Sequence, residues 1–491
     1  MLFNSHEFIF LFLPLCLCGY FLISKLGARA AIGFLVLASL GFYAWWKAEY
    51  LILIIISILF NFAWARCIDA VNLHHPKWAK FTLGVGVALN LAALGYYKYT
   101  NFLVDQFNQL ANTDYFIAKI ALPLAISFFT FQQIAYLVDT YRKEINEHSF
   151  LRYCLFVTFF PQLIAGPIVH HKEMLPQFER SETFTPHSIN FALGLTLFSI
   201  GVFKKVVFAD NAAVFATPIF GAADAGNSIT FAEAWLGTSA YTLQLYFDFS
   251  GYTDMALGLA MLFGIRLPDN FNSPYKSLSI VDFWRRWHIT LSRFLRDYLY
   301  IALGGNRKGK SRRYVNLMTT MVLGGIWHGA GWNFMIWGFL HGSYLVVNHW
   351  WSATRARVIS APVNRLENIA YWMITMLAVM VAWVFFRAQT TEGALHILST
   401  MTQVDVSHLM QSNLINNKRA IAVCGALFLV AVFCPNSGQI MRFVERYLTL
   451  PSVPLNKGLW LTYSPAILSA VGFVISIGLI GQLSEFLYFN F

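Results

Sequence analysis

The sequence predicts an all-α, polytopic membrane protein, and three observations carry that reading. Hydrophobic residues make up 57% of the 491 residues and charged residues only 12%. Mean hydropathy is +0.55. Apolar runs recur from end to end, near residues 31–46, 50–65, 81–97, 117–137, 151–164, 190–207, 231–263, 315–347, 369–386, 421–433 and 459–480. About 20 residues cross a bilayer as a helix, so the length allows about ten to thirteen transmembrane helices together with re-entrant segments. No interval between the runs holds a soluble domain. Residues 1–491 therefore read as one membrane domain, with N-terminal spans over 1–120, a core over 121–350 and C-terminal spans over 351–491.

The first apolar segment, residues 8–24, follows His6 and Glu7 rather than a basic region and has no small-residue cleavage site, so it reads as a retained span. Lys25 and Arg29 follow that span, and Arg66, Lys77 and Lys80 follow the third, whereas the loop between the second and third sets Lys47 against Glu49. By the positive-inside rule this alternation puts the amino terminus outside the cytoplasm. The same rule explains the net charge of +11 without invoking nucleic acid, the reading such a charge would invite in a soluble protein. Residues 231–263 and 315–347 are too long for one straight crossing. Each is two segments or one long tilted helix, and Gly237, Gly251, Gly329 and Gly331 offer places to break. No internal repeat is evident, which counts against inverted-repeat transporters. Residues 183–186, 221–227 and 404–417 are the more polar connections. Cys16, Cys18, Cys67, Cys154, Cys424 and Cys434 are scattered without metal-ligand spacing, so they read as packing residues rather than disulfides or a zinc site.

Ionisable groups at membrane depth are costly and mark functional paths. Two Trp-His pairs qualify, Trp287-His288 and Trp327-His328, the second inside the apolar run 318–340. In a helix, residues three and four apart share a face. Gly324, Gly325 and Gly331 would then flank His328 and leave bare backbone where a thin acyl chain or thioester could approach. The alternative use of those glycines is close packing against a neighbouring helix.

The densest basic stretch runs from Asp282 through Arg285, Arg286, Arg293 and Arg296 to Gly304-Gly305-Asn306-Arg307-Lys308, ending at Arg313. Arginine forks and a glycine-rich turn with free amides suit the phosphates of a nucleotide-bearing donor such as coenzyme A. The same charges could instead set topology and bind anionic lipid headgroups. Trp327, Arg285, Asn306, Arg307 and Lys308 are the candidate substrate-binding residues, and no metal site is expected. Asp139, Asp248 and Asp254 lie in apolar context; each could orient a catalytic histidine, but they read first as structural partners of arginines, since a carboxylate at depth must be paired. His341 follows His328 by thirteen residues, which on one helix is a different face. His74, His75, His170 and His171 read as loop-edge groups, solvated or interfacial.

Residues 127–132, 160–168, 244–255, 283–300, 304–308 and 324–338 together resemble the membrane-bound O-acyltransferase family, in its bacterial alginate-acetylation and teichoic-acid D-alanylation branch. The likeness covers about residues 122–342. It is strongest on the alginate side at Leu303-Gly304-Gly305-Asn306-Arg307-Lys308-Gly309 and at Trp327-His328-Gly329-Ala330. The resemblance implies a helical ring around a central tunnel, His328 in the place of the essential histidine, and His288 in that of the polar residue of the second motif. It also implies transfer of an acyl group from a cytoplasmic thioester to a hydroxyl on the far side. A thioester is already activated, so the enzyme mainly needs a base near neutral pKa, and imidazole suits. His328 is the expected base; His288 would orient donor or acceptor, or hydrogen-bond the oxyanion.

The expected function is O-acetylation of an exopolysaccharide such as alginate from the bacterial inner membrane. Acetyl-CoA would be the co-substrate, no cofactor would be bound, and a periplasmic acetyltransferase would be the partner. The rival readings are another envelope polymer (cellulose, peptidoglycan or teichoic acid) or a transporter that uses the membrane histidines as a proton relay.

Overall fold

The computed structural model describes residues 1–145, 149–358, 363–404, 414–449, 455–480 and 487. Among these residues every regular element is helical. In chain order they are α1 (Leu13–Ile23), α2 (Ala28–Ala44), α3 (Tyr50–His74), α4 (Pro76–Ala111), α5 (Ile126–Tyr141), α6 (Phe150–Thr158), α7 (Phe160–Leu163), α8 (His171–Met174), α9 (Ser188–Phe203), α10 (Asp210–Asp224) and α11 (Phe231–Leu262). There follow α12 (Ile280–Arg286), α13 (Ile289–Phe294), α14 (Gly309–His328), α15 (Trp332–Val358), α16 (Arg365–Arg387), α17 (Thr391–Thr400), α18 (Asn417–Phe433), α19 (Ser437–Thr449) and α20 (Leu455–Leu479).

Among the described residues, five stretches are long and apolar enough to cross a membrane: Phe8–Leu26, Tyr50–His74, Pro76–Ala111, Ser188–Asp224 and Arg365–Arg387. A sixth is the pair α18 and α19, bent by 54°. The sequence-based figure of ten to thirteen counts further helices: α11, α14 and α15 are 32, 20 and 27 residues long, but polar side chains dilute their apolarity. The chain resolves both overlong runs. The first is the single helix α11, whereas the second breaks between His328 and Trp332 into α14 and α15. In the polar connection 404–417, residues 405–413 lie outside the described residues.

The chain divides into two compact units. One contains Met1–Gly201, Tyr252–Pro268 and Phe443–Ile480. In it α3 and α4 pair through reciprocal amide hydrogen bonds between Asn61 and Asn90, at 3.0 and 2.7 Å. Trp64 Nε1 donates to the Thr82 carbonyl at 3.0 Å. Polar glue of this kind suits helices that meet in lipid, where apolar contact alone gives little preference. Pro76 starts α4 and Asn112, in the left-handed conformation, ends it. At 36 residues the helix is about 54 Å long. Ile52, Ile56, Phe81 and Leu103 stay exposed along these two helices, as lipid-facing side chains do.

The second unit contains Val202–Gly251, Asp269–Arg442 and Gly481–Phe491. Its centre is the hairpin of α14 and α15. A Cβ on Gly325 would strike the Phe334 carbonyl and Gly338, and one on Gly338 would strike the backbone of Met321 and Val322. The two helices therefore touch main chain to main chain. Gly325→Ala is expected to cost about 1–3 kcal/mol by overpacking, read as a lower melting temperature of the detergent-purified protein; an unchanged melt would mean that the hairpin can open without loss. Asn333 at the head of α15 donates to the carbonyls of Ala388 and Thr390 at 2.8 and 3.1 Å, which fixes α15 to the end of α16 and the start of α17.

Candidate active site

His328 is the last residue of α14, 4% exposed. Gly329 then turns the chain in extended backbone; a Cβ there would meet the Phe334 ring. The imidazole is boxed edge-to-face by Trp327, Trp337 and Phe386, with ring centroids at 4.9, 5.0 and 5.1 Å. One of the three flanking glycines corrects the sequence reading. Phe334 and α15 backbone occupy the space beside Gly325, so that residue sets helix packing, whereas a Cβ on Gly324 would meet only Leu295 at 3.3 Å and one on Gly331 only Phe334 at 3.7 Å. The helix break corrects the reading of His341 as well. It lies on α15 rather than on the helix of His328, is wholly buried, and is separated from His328 only by Trp337, whose ring is 4.8 Å from its own. Trp284 Nε1 donates to His341 Nδ1 at 3.2 Å.

His288 sits between α12 and α13, of seven and six residues, each too short to cross a bilayer. It is wholly buried and takes a left-handed conformation, φ 41°, which for a side chain with a Cβ costs about 1–3 kcal/mol and persists only where surroundings enforce it. The enforcement comes from Asn270. Its Oδ1 accepts from the Thr290 amide at 3.2 Å and the Thr290 hydroxyl at 2.8 Å, and it faces His288 Nδ1 at 3.1 Å. An oxygen that accepts a backbone N–H is an acceptor towards the ring too, so His288 Nδ1 donates and Nε2 carries the lone pair. Burial holds this imidazole below its ordinary pKa range and keeps it neutral. Rings join the two histidines in sequence: His328, Trp337, Trp383, Trp287, Phe249 and His288, with successive centroids at 5.0, 6.1, 5.0, 6.5 and 4.8 Å.

Beside Trp284 opens a cavity of about 510 Å³, a size suited to a drug-sized ligand. Arg285, Arg293, Arg296, Arg313, His349, Tyr300 and Asn306 line it, no lining residue is acidic, and Met321 and Leu295 form part of its apolar wall. Met321 is seven residues, about two turns, before His328 on α14. Arg313 reaches His349 Nδ1 at 2.7 Å, and Tyr300 hydrogen-bonds Asn306 Oδ1. Two of the sequence-selected binding residues, Arg285 and Asn306, thus meet in one cavity. Trp327 stands against His328, while Arg307 and Lys308 are exposed and do not line the cavity.

The glycine-rich turn needs its glycines, since Gly304, Gly305 and Gly309 all have positive φ. Three of its amides are not free as expected: Gly304, Gly305 and Arg307 donate theirs to the carbonyls of Ile301, Tyr300 and Gly304. Sequence reasoning missed Asn270, Trp337, His349 and Phe386; it named Arg313 only within the basic stretch and set His341 aside. Trp337 closes a motif already singled out, whereas Phe386 arrives from α16 with no local sign.

Among the three acids in apolar context, Asp139 and Asp248 have ion-pair partners, and Asp139 has the expected arginine. Asp248 meets Lys205 at 2.8 Å rather than an arginine, and Lys205 also reaches Asp210 at 2.7 Å. Asp139 has Arg142 at 3.9 Å but is closer to His170 and His171. His171 is 6% exposed, so it is a buried group rather than a solvated loop edge.

The membrane-bound O-acyltransferase family model matches residues 92–388, well over half the chain. The chain is 42% identical to a peptidoglycan O-acetyltransferase of Helicobacter pylori, over 100% of this chain and 98% of that protein. It is 42% identical to a probable alginate O-acetylase AlgI of Pseudomonas aeruginosa, over 85% and 78%. A teichoic acid D-alanyltransferase of Bacillus subtilis is 28% identical over 51% and 65%. A family match of this extent, on an all-helical chain with several membrane-capable helices, makes this a multi-pass membrane acyltransferase that belongs to the membrane-bound O-acyltransferase family.

Proposed function

We propose that the protein takes an acetyl group from a cytoplasmic thioester, acetyl-CoA, and passes it through the bacterial inner membrane towards a hydroxyl of an envelope polysaccharide. The observation that carries this reading is His328 in its aromatic box, two helical turns from an arginine-lined cavity on the same helix. Arg285 and Asn306, with Arg293, Arg296 and Arg313, hold the donor's phosphates. As the hydroxyl oxygen attacks the thioester carbonyl, His328 takes its proton. The C–O bond forms, the C–S bond breaks, and the imidazolium returns the proton to the departing thiolate. His288 is a neutral acceptor at Nε2, which suits a positioning contact to a hydroxyl better than the oxyanion contact also considered.

Membership of an acyltransferase family sets aside the proton-relay transporter. For the polymer, the end-to-end likeness to a protein named for peptidoglycan makes peptidoglycan the first acceptor to test. The exopolysaccharide reading, alginate or a relative, rests on the AlgI likeness. In either case a periplasmic acetyltransferase completes the transfer.

Radiolabelled acetyl-CoA supplied to membranes, with the partner and each polymer in turn, tests the scheme. The wild type is expected to release CoA and acetylate the polymer. Arg285→Gln is expected to raise KM for acetyl-CoA on the order of ten- to a hundredfold with kcat nearly unchanged, because loss of a phosphate contact weakens ground and transition states alike. An unchanged KM would place the donor elsewhere.

A further inference from the structure

We propose that Asp139, His170 and His171 form a binding site for a divalent transition-metal ion of the zinc class. Asp139 lies in the last turn of α5, wholly buried, and the two histidines open α8. His170 Nε2 and His171 Nδ1 converge on one carboxylate oxygen, Asp139 Oδ2, at 2.9 and 3.2 Å. All three donor atoms lie within 4.8 Å of one another. In a tetrahedral site with bonds of about 2.0–2.1 Å, donors are separated by about 3.3 Å, so these separations suit ligands gathered about one ion. Two imidazoles and one carboxylate are also the donors that borderline divalent ions prefer, and they leave a position open.

The surroundings fit the assignment. Arg142 approaches the other carboxylate oxygen, Oδ1, at 3.9 Å, which leaves Oδ2 to face the histidines. The His170 side chain is 27% exposed and gives the ion and a water ligand a way in. Lys172, the residue after His171, is paired with Glu144. Metal binding through His170 Nε2 moves the ring proton to Nδ1. It gives up the long contact from the Lys172 amide, 3.4 Å, while the His170 amide keeps its bond to Glu173. The ion would tie the end of α5 to the start of α8 within the first unit. This departs from the sequence reading, which expects no metal, and it stands independently of the acyl-transfer scheme.

The test uses the full-length protein in detergent, stripped with a chelator and titrated with Co²⁺. The expected result is a saturable visible d–d band at one Co²⁺ per chain, displaced by Zn²⁺. Asp139→Asn and His170→Gln should each abolish it, and a His74→Gln, His75→Gln double variant should leave it intact. Should Asp139→Asn fail to fold, the part-exposed His170→Gln decides. No band in the wild type, a band that survives His170→Gln, or a band lost with His74 and His75 would overturn the site.

Discussion

His328→Ala is expected to lower acetyl transfer by about 10²–10⁴-fold, the usual contribution of a positioned general base. The loss should fall on kcat, with KM for acetyl-CoA little changed, because the arginine-lined cavity lies two turns away and does not include His328. Truncation also opens a space among Trp327, Trp337 and Phe386. His328→Gln, which refills much of that volume without a base, is therefore the sharper variant, and it should be as inactive as the alanine. Steady-state kinetics in membranes with matched protein levels provide the check. Substantial turnover in His328→Gln would remove the imidazole from proton transfer and leave it a packing residue.

Lys205→Met is expected to produce the largest loss of stability of any single substitution away from that site. Lys205 bridges Asp210 and Asp248, and the Asp248 side chain is 1% exposed. Its other oxygen accepts the amide of Leu487 at 3.1 Å. Removing one partner of a buried ion pair costs about 3–5 kcal/mol, mainly because the remaining charge is left uncompensated. The double variant Lys205→Met, Asp248→Asn should recover much of the loss, since it removes the stranded charge as well. Melting of the purified variants in detergent measures both. A single variant as stable as the wild type, or a double variant no better than the single, would mean that the bridge does not carry this stability.

Much of this was legible in the sequence because it depends on local chemistry. Apolar runs fix where helices can cross, and an imidazole inside such a run stands out whatever surrounds it. Arg285 and Asn306, which line one cavity, lie only about twenty residues apart in the basic stretch that the sequence singled out. What stayed hidden depends on contacts between distant segments or on single backbone angles. Phe386 and Trp383 reach the histidines from α16, some sixty residues on. His341 was placed on the wrong face because the period of one helix was carried across a break at Gly329. The amides of the glycine turn looked available because composition does not reveal which positive-φ residues close hydrogen bonds on themselves. His170 and His171 looked solvated because nothing nearby in sequence foretells that Asp139, thirty residues earlier, turns its carboxylate to both.

The main-chain contact between α14 and α15 has a consequence for reading any mutational scan of residues 318–342. At Gly325 and Gly338 a side chain forces the opposite backbone to shift, while His328, between them in the chain, would on the proposed scheme be constrained by what it does. Substitutions at all three would score alike in an assay of product. Only when the quantity of folded protein is recorded beside turnover does the stretch resolve into two kinds of position, architectural ones that deplete the enzyme and one chemical position that leaves it abundant and silent.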